Sequence, residues 1–306
     1  MNMKLVVAAG MAIAIPATLQ ADDWNGVVTL GYSQTDIGGT GADASAGSLD
    51  FNGVYNFDTG FSLGFDASLV VADISNGGGD MDLNYLALNG EYKLQNGVTF
   101  GGYIERGEVD DNGLLLGNAR LTSYGLTFGY EVENLDAEAY IGASDTSPSL
   151  GGGTDINDFG VRVGYQISPQ AFMVGSLARS EISNTGVSVD IDMIALGGGY
   201  AFNNQWSVYG GVQRISVDAA SLDETTYGLG VAYSPAAISA MPMTLSLELA
   251  RTDVDLGGAS SDLDTVRLGL TVPLGNTKKN VPANSVVNNI AKGGHNVVTS
   301  GFLGAF

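Results

Sequence analysis

The chain has 306 residues, no cysteine, 45 glycines and a formal net charge of −21, yet its mean hydropathy is +0.14. Without cysteine there is no disulfide scaffold, and acidity of this size repels phosphates, which excludes nucleic acid as a partner. A chain both acidic and apolar must keep the two characters on separate faces.

The first stretch, MNMKLVVAAGMAIAIPATLQA, sets Lys4 before an apolar run from Leu5 to Ile15, then Pro16 and small residues. This is the layout of a secretory signal peptide, with cleavage near Ala21. The run is too short to cross a bilayer as a helix, and no later run reaches the roughly 18 apolar residues a membrane helix needs.

From Trp24 onward the period is two. Val28, Leu30 and Tyr32 share one parity of a first strand, Trp24 to Gln34. A tyrosine then recurs just ahead of a short polar turn at Tyr55, Tyr92, Tyr130, Tyr165, Tyr200 and Tyr233, every 33–38 residues. EYKLQNGVTFGGYIER (91–106) and GYAFNNQWSVYGGVQR (199–214) align without a gap. A repeat of that length is one hairpin: two strands of about 10–12 residues, a tight turn and a longer loop. One parity carries Phe61, Leu63 and Phe65; Leu86 and Leu88; Leu126 and Phe128; Val161 and Val163; Leu245, Leu247 and Leu249. The other carries small or polar residues such as Ser62, Gly64, Gly101, Gly125, Gly164 and Gly211. A last segment, Leu263 to Leu274, brings the count to fourteen strands, or sixteen if the end of the chain adds two.

A soluble sandwich also alternates, but it does not sustain fourteen even strands with tight turns all at one end. The pattern predicts an all-β fold: a closed antiparallel up-and-down transmembrane β-barrel over residues 22–275, with short periplasmic turns and longer extracellular loops. Only a closed sheet satisfies every backbone group in lipid.

Three sets of residues follow from height and parity. Tyr55, Phe57, Tyr92, Tyr130, Tyr165, Tyr200, Phe202, Trp206 and Tyr233 share the turn end, where amphipathic rings form a girdle at the membrane–water boundary. Arg106, Arg179, Arg214 and Arg251 lie eight residues up their strands with the apolar parity, and Arg120 reaches a similar level. Eight tilted residues rise about 20 Å, close to the apolar band of an outer membrane. These arginines therefore either grip lipopolysaccharide phosphates with their forks or pair with acids such as Glu108, Glu181 and Asp253. The opposite parity sends Asp66, Glu91, Lys93, Tyr103, Glu105, Glu138, Tyr140, Arg162, Tyr209, Glu248 and Arg267 into the lumen, with Glu131, Asp136 and Asp158. All 33 acidic residues lie between Asp22 and Asp264, whereas four of the 12 basic ones (Lys4, Lys278, Lys279 and Lys292) lie outside. A pore so lined concentrates cations.

The signal peptide, the repeated GY-turn-G hairpins and the closing strand DTVRLGLTVPL resemble the Gram-negative porins and related outer-membrane diffusion channels. The resemblance spans residues 22–275 and implies passive passage of small hydrophilic solutes with no cofactor. The trimeric general porins have sixteen strands, an inward third loop and a terminal Phe on the last strand. Here fourteen strands are counted, the third loop GEVDDNGLLLGNA is short, and 31 residues follow the last strand; no site residue is carried over.

Those residues, 276–306, contain no acid and three lysines. Their Asn, Gly and Ser content reads as an unstructured periplasmic tail with His295 in solvent. The sharper reading is a cationic segment folded back into the anionic lumen, lowering or gating conductance. No catalytic set is predicted, because the barrel has neither histidine nor cysteine to serve as base or nucleophile. No metal site is predicted either: EVDDNG begins like a calcium loop but has Ala119 at its twelfth place. The expectation is a cation-preferring channel for small hydrophilic solutes whose other partners are outer-membrane lipid and lipopolysaccharide. The competing class is a structural or adhesive barrel with a blocked lumen. Gly-rich faces around Gly197–Gly199 leave a homo-oligomer open.

Overall fold

The computed structural model describes residues 24–76, 79–111, 117–184, 186–235, 242–275 and 281–305; the signal-peptide segment, Lys278 and Lys279 lie outside them. Fourteen strands follow in order: β1 (Trp24–Ile37), β2 (Ala42–Asn56), β3 (Phe61–Ile74), β4 (Gly79–Lys93), β5 (Val98–Asp110), β6 (Asn118–Val132) and β7 (Leu135–Ser147). Then come β8 (Thr154–Ser168), β9 (Ala171–Asn184), β10 (Val187–Ala201), β11 (Trp206–Val217), β12 (Leu222–Tyr233), β13 (Thr244–Leu256) and β14 (Ala259–Gly275). Each pairs antiparallel with its neighbours, and β1 pairs with β14 from Asn25↔Gly275 to Ile37↔Leu263, which closes the barrel. Closure leaves no edge strand unpaired. The strands run 12–17 residues, longer than the 10–12 expected. Much of what was assigned to far-end loops is strand, so β13 ends at Leu256 and β14 begins at Ala259.

The two faces differ as the alternation demands. Leu126 and Leu229 are 68% and 69% exposed, and Phe100, Phe128, Ile141, Ile194 and Leu249 are exposed with them. A continuous apolar outer surface of this kind requires lipid. The inner wall is small and hydroxylated, cross-linked by hydrogen bonds such as Thr29–Thr271 (2.8 Å), Thr35–Thr265 (2.9 Å) and Thr226–Thr252 (2.9 Å).

At the end of the chain the structure follows the second of the two readings. Residues 281–305 are not an unstructured tail and add no strand; they lie folded back in the lumen. They form two short helices, α1 (Val286–Lys292) and α2 (Val297–Ala305), inside the barrel. Ser285 caps α1, its hydroxyl accepting from the Asn288 N–H at 3.2 Å. The Asn296 side-chain oxygen caps α2 by accepting from Val298 N (2.8 Å). Val286, Val287, Ile290 and Val297 are at most 1% exposed. The first three pack with Val174, Ala195, Tyr209, Ala232 and Ala250 of the wall. Val297 packs with Tyr103, Tyr140, Met193 and Ile215. Apolar burial is the main drive for this docking.

The small residues of the inner wall are shaped to the helices. A Cβ on Gly197 would stand 2.7 Å from Val287 Cγ2, one on Gly211 2.7 Å from Ile290 Cδ1, and one on Gly228 2.7 Å from Val286 Cγ2. Gly197 and its neighbours thus seat α1.

Candidate functional site: an occupied lumen

The lumen is the candidate site, and the wall residues meet the tail within it. Glu105 on β5 is 2% exposed. Its carboxylate accepts from His295 N (2.9 and 3.0 Å), Asn296 N (3.2 Å) and Tyr85 Oη (3.1 Å). His295 Nδ1 lies 3.1 Å from Glu105 Oε2, and its Nε2 lies 3.6 Å from Glu138 Oε1 on β7. The imidazole lies flat on Tyr103, with ring centroids 3.7 Å apart at 11°, and meets Tyr140 edge-on at 4.8 Å. His295 is therefore buried at 8% exposure rather than solvated. Burial works to lower its pKa, but hydrogen bonds and charge from Glu105 and Glu138 outweigh it and raise the imidazole above its ordinary value.

Asp158 on β8 is fully buried, bonded to Ser180 Oγ (2.5 Å), Ser144 Oγ and the Asn296 amide (2.7 Å). Arg162, four residues on, faces Glu138 across the strand pair at 3.6 Å and donates to Gly293 O at 2.7 Å. On the opposite wall Arg267 (β14) and Glu248 (β13) form a directly cross-strand pair at 2.7 Å, each side chain 3% exposed. Arg267 also donates to Gly304 O at 2.9 Å, and Glu248 accepts from Val286 N at 3.4 Å. Gln213 donates to Ser300 O (3.3 Å), and Thr29 accepts from Ala283 N (2.9 Å). Bonds from β1, β5, β8, β11, β13 and β14 thus converge on one segment.

Beside the tail lies a cavity of about 40 Å³ against β2–β4, lined by Asp50, Asp66, Tyr85, Asn288 and Lys292. A space of that size holds a few waters at most. Asp66 sits in that cavity, with Asn52 donating to it at 2.9 Å. Tyr209 is buried under α1. Glu91 is half-buried near the turn end, where Lys93 pairs with Glu131 at 2.9 Å on the rim, away from the tail.

The turn-end aromatics face out and touch one another: Tyr55–Phe57 at 4.7 Å, Tyr200–Phe202 at 5.2 Å, Trp206–Tyr233 at 4.6 Å. Tyr92, Tyr130 and Tyr165 are exposed at the same level. Trp24 extends the ring, 6.0 Å from Phe51. At the far end each outward arginine has a carboxylate partner. Arg106 and Arg120 share Glu108 (2.9 and 3.3 Å), Arg179 holds Asp190 (2.8 Å) and Asp192 (2.5 Å), and Arg214 holds Asp223 (2.9 Å). Arg251 faces Asp253, Asp262 and Asp264 at 2.8–3.2 Å. Glu181 bonds Ser188 instead.

The tail residues His295, Asn296, Asn289 and Ser300, and Gln213 and Asp50 of the wall, went unrecognised in the sequence. Local signals existed for the tail: Ser285 and Asn296 precede short apolar runs, and Gly293–Gly294 stop the first.

No curated protein sequence matches the chain. Among solved structures it is similar to the anion-selective porin from Comamonas acidovorans, with a TM-score of 0.52 and 12% identity over 82% of this chain and 98% of that one. A Pseudomonas aeruginosa FadL homologue gives 0.51 and 13% over 85% and 92%. The TodX monoaromatic hydrocarbon channel (deltaS2 mutant) gives 0.53 and 11% over 87% and 94%. At these identities the likeness is one of fold. The sequence model described as Gram-negative porin matches residues 17–185 and 135–271, nearly the whole barrel. With a closed lipid-facing sheet around a polar lumen, that match makes the chain a member of the Gram-negative porin family, an outer-membrane channel barrel.

Proposed function

We propose that this barrel is a gated diffusion channel for small hydrophilic solutes and ions, not an enzyme, and that its own C-terminal segment is the gate. The observation carrying this reading is the polar lumen, lined by Glu105, Glu138, Asp158 and Asp66 and occupied by a segment that brings no acid. The seated tail occupies the lumen beside the small cavity at β2–β4. With it withdrawn, carboxylates outnumber Arg162 and Arg267, and the pore prefers cations. The Comamonas porin is anion-selective by its description; the charge balance of this lumen argues for the opposite sign.

Planar-bilayer recording tests the proposal. Deleting residues 276–306 raises single-channel conductance, and the reversal potential in a salt gradient takes the cation sign. Unchanged conductance overturns the gate. The filled lumen also favours a second reading, a structural barrel that never opens; absence of conductance steps with and without the tail would establish it. In either reading, the height of the outward arginines on their strands supports a contact with lipopolysaccharide. Replacing Arg106, Arg179, Arg214 and Arg251 with Gln reduces co-purified lipopolysaccharide if their forks reach its phosphates past the carboxylates. Unchanged retention removes that role.

A further inference from the structure

His295 occupies a slot built for a particular kind of guest. Tyr103 offers a ring face and Tyr140 stands at right angles to it, their centroids 6.2 Å apart at 86°. Glu105 and Glu138 flank the two ring nitrogens at 3.1 and 3.6 Å. Only an imidazolium carries a donor on both nitrogens, so the flanking acids match the cation, and an aromatic face favours a cation over it. Among the described residues, Arg162 is the positive wall group nearby, and it is engaged by Glu138 and Gly293 O. Against it stand Glu105, Glu138 and Asp158.

Glu105 makes the slot more than a cluster of acids. It is buried, and of its hydrogen-bond donors only the Tyr85 hydroxyl belongs to the wall; His295 N, the His295 ring and Asn296 N all come from the tail. When the tail withdraws, this carboxylate is left facing the lumen with most of its partners gone, on a wall whose aromatic faces are uncovered too. Such a group demands a new donor.

We propose that Tyr103, Tyr140, Glu105 and Glu138 form a binding site for the flat cationic head of a permeating solute, an imidazolium, guanidinium or amidinium, and that His295 is its resident occupant. The assignment rests on the channel reading for its access route, and it names the solute class that reading leaves open. A flat head with two N–H donors stacks on Tyr103 and bridges the carboxylates; a tetrahedral ammonium cannot do both. The tail then competes with solute for one slot, which couples loading to opening.

The test uses the full chain with His295→Ala in detergent, which empties the ring position and removes the only histidine. Imidazole, at a pH where it is protonated, binds saturably by calorimetry at millimolar concentration and raises the thermal midpoint. Guanidinium does the same. Thiazole, flat but neutral, and tetramethylammonium, charged but not flat, bind at least tenfold more weakly. Adding Glu105→Gln or Tyr103→Leu to the variant abolishes imidazole binding. No saturable binding, or thiazole equal to imidazole, overturns the site. Should the variant not fold, the unaltered protein serves: millimolar imidazolium raises its open fraction in bilayers by displacing His295, thiazole does not, and equal effects overturn the site. Binding is read without conduction. Binding in a barrel that never conducts therefore keeps the slot and removes the channel, whereas conduction without binding does the reverse.

Discussion

Gly228 on β12 offers the cleanest way to disturb the plug from the wall. A Cβ there would lie 2.7 Å from Val286 Cγ2, 2.8 Å from Val286 Cβ and 3.4 Å from Glu248 Oε1. The second contact matters most, because a Cβ cannot rotate aside and the helix must shift as a body. Alanine costs the strand nothing, so the strain falls on the seated tail. Overpacking of this kind costs about 1–3 kcal/mol. At 1.4 kcal/mol per factor of ten, Gly228→Ala shifts the seated-to-withdrawn ratio about 5- to 150-fold toward withdrawal. Single-channel recording reads this as a rise in open fraction at unchanged unit conductance, since the pore wall gains only a methyl group. The reciprocal change, Val286→Gly, removes both the colliding methyl and the Cβ. In Gly228→Ala/Val286→Gly the open fraction falls back toward that of Val286→Gly alone, a non-additivity expected only of groups in contact. Additive effects, or an open fraction untouched by Gly228→Ala, would refute the claim that α1 presses on this wall.

Channel opening rises with pH. His295 is held above its ordinary pKa when seated, so its contribution to seating is complete below about 6.5 and fades as pH climbs through the raised value. The groups facing it are Glu105, Glu138, Tyr103, Tyr140 and Arg162, with Asp158 joined through Asn296 and Lys292 further along the segment. His295→Gln flattens the open-fraction profile between pH 6 and 9, and an unaltered slope in that variant refutes the assignment. Arg267→Met strips Glu248 of its buried partner and α2 of a carbonyl anchor. A loss of about 3–5 kcal/mol is expected for an uncompensated buried charge, read as a lowered unfolding midpoint, while Arg267→Met/Glu248→Leu recovers most of it. Asn296→Ala removes the cap of α2 and the amide on Asp158; it costs about 1–2 kcal/mol of seating and raises the open fraction roughly 5- to 30-fold. No change would refute the claim that the Asn296 cap holds α2 in place.

The barrel was legible because lipid on one side and polar groups on the other impose the shortest period a sheet can carry. Residues such as Leu86, Leu88 and Phe128 announce it individually. Turn chemistry around Tyr92 and Tyr200 set the height of the girdle. A tail folded back into the lumen was one of two readings, but its helices and their seat were not legible, since the segment is buried against strands from 37 to 254 residues away. A seven-residue helix such as α1 offers only Val286, Val287 and Ile290 as a periodic signal. The small inner-face residues were read as room for water, and the same Gly197, Gly211 and Gly228 are equally room for a helix. Sequence patterning cannot distinguish a wall that faces solvent from one that faces a guest. The pairs Glu138–Arg162 and Glu248–Arg267 were assigned to the lumen as separate charges, and only strand register makes them partners. Far-end loops were overestimated because acidic residues such as Glu108, Glu181 and Asp253 read as loop, whereas they continue the strands beyond the apolar band.

The plug also bears on how the molecule is put together. Ala283 donates to Thr29 on the first strand, which is itself bonded to Thr271 on the last, so the segment straddles the seam where the sheet meets itself. An unzipped sheet offers only half a receptacle, with Arg267 and Glu105 too far apart to be reached together. The full receptacle therefore exists only once the sheet has closed, so the seated segment reports a correctly joined seam.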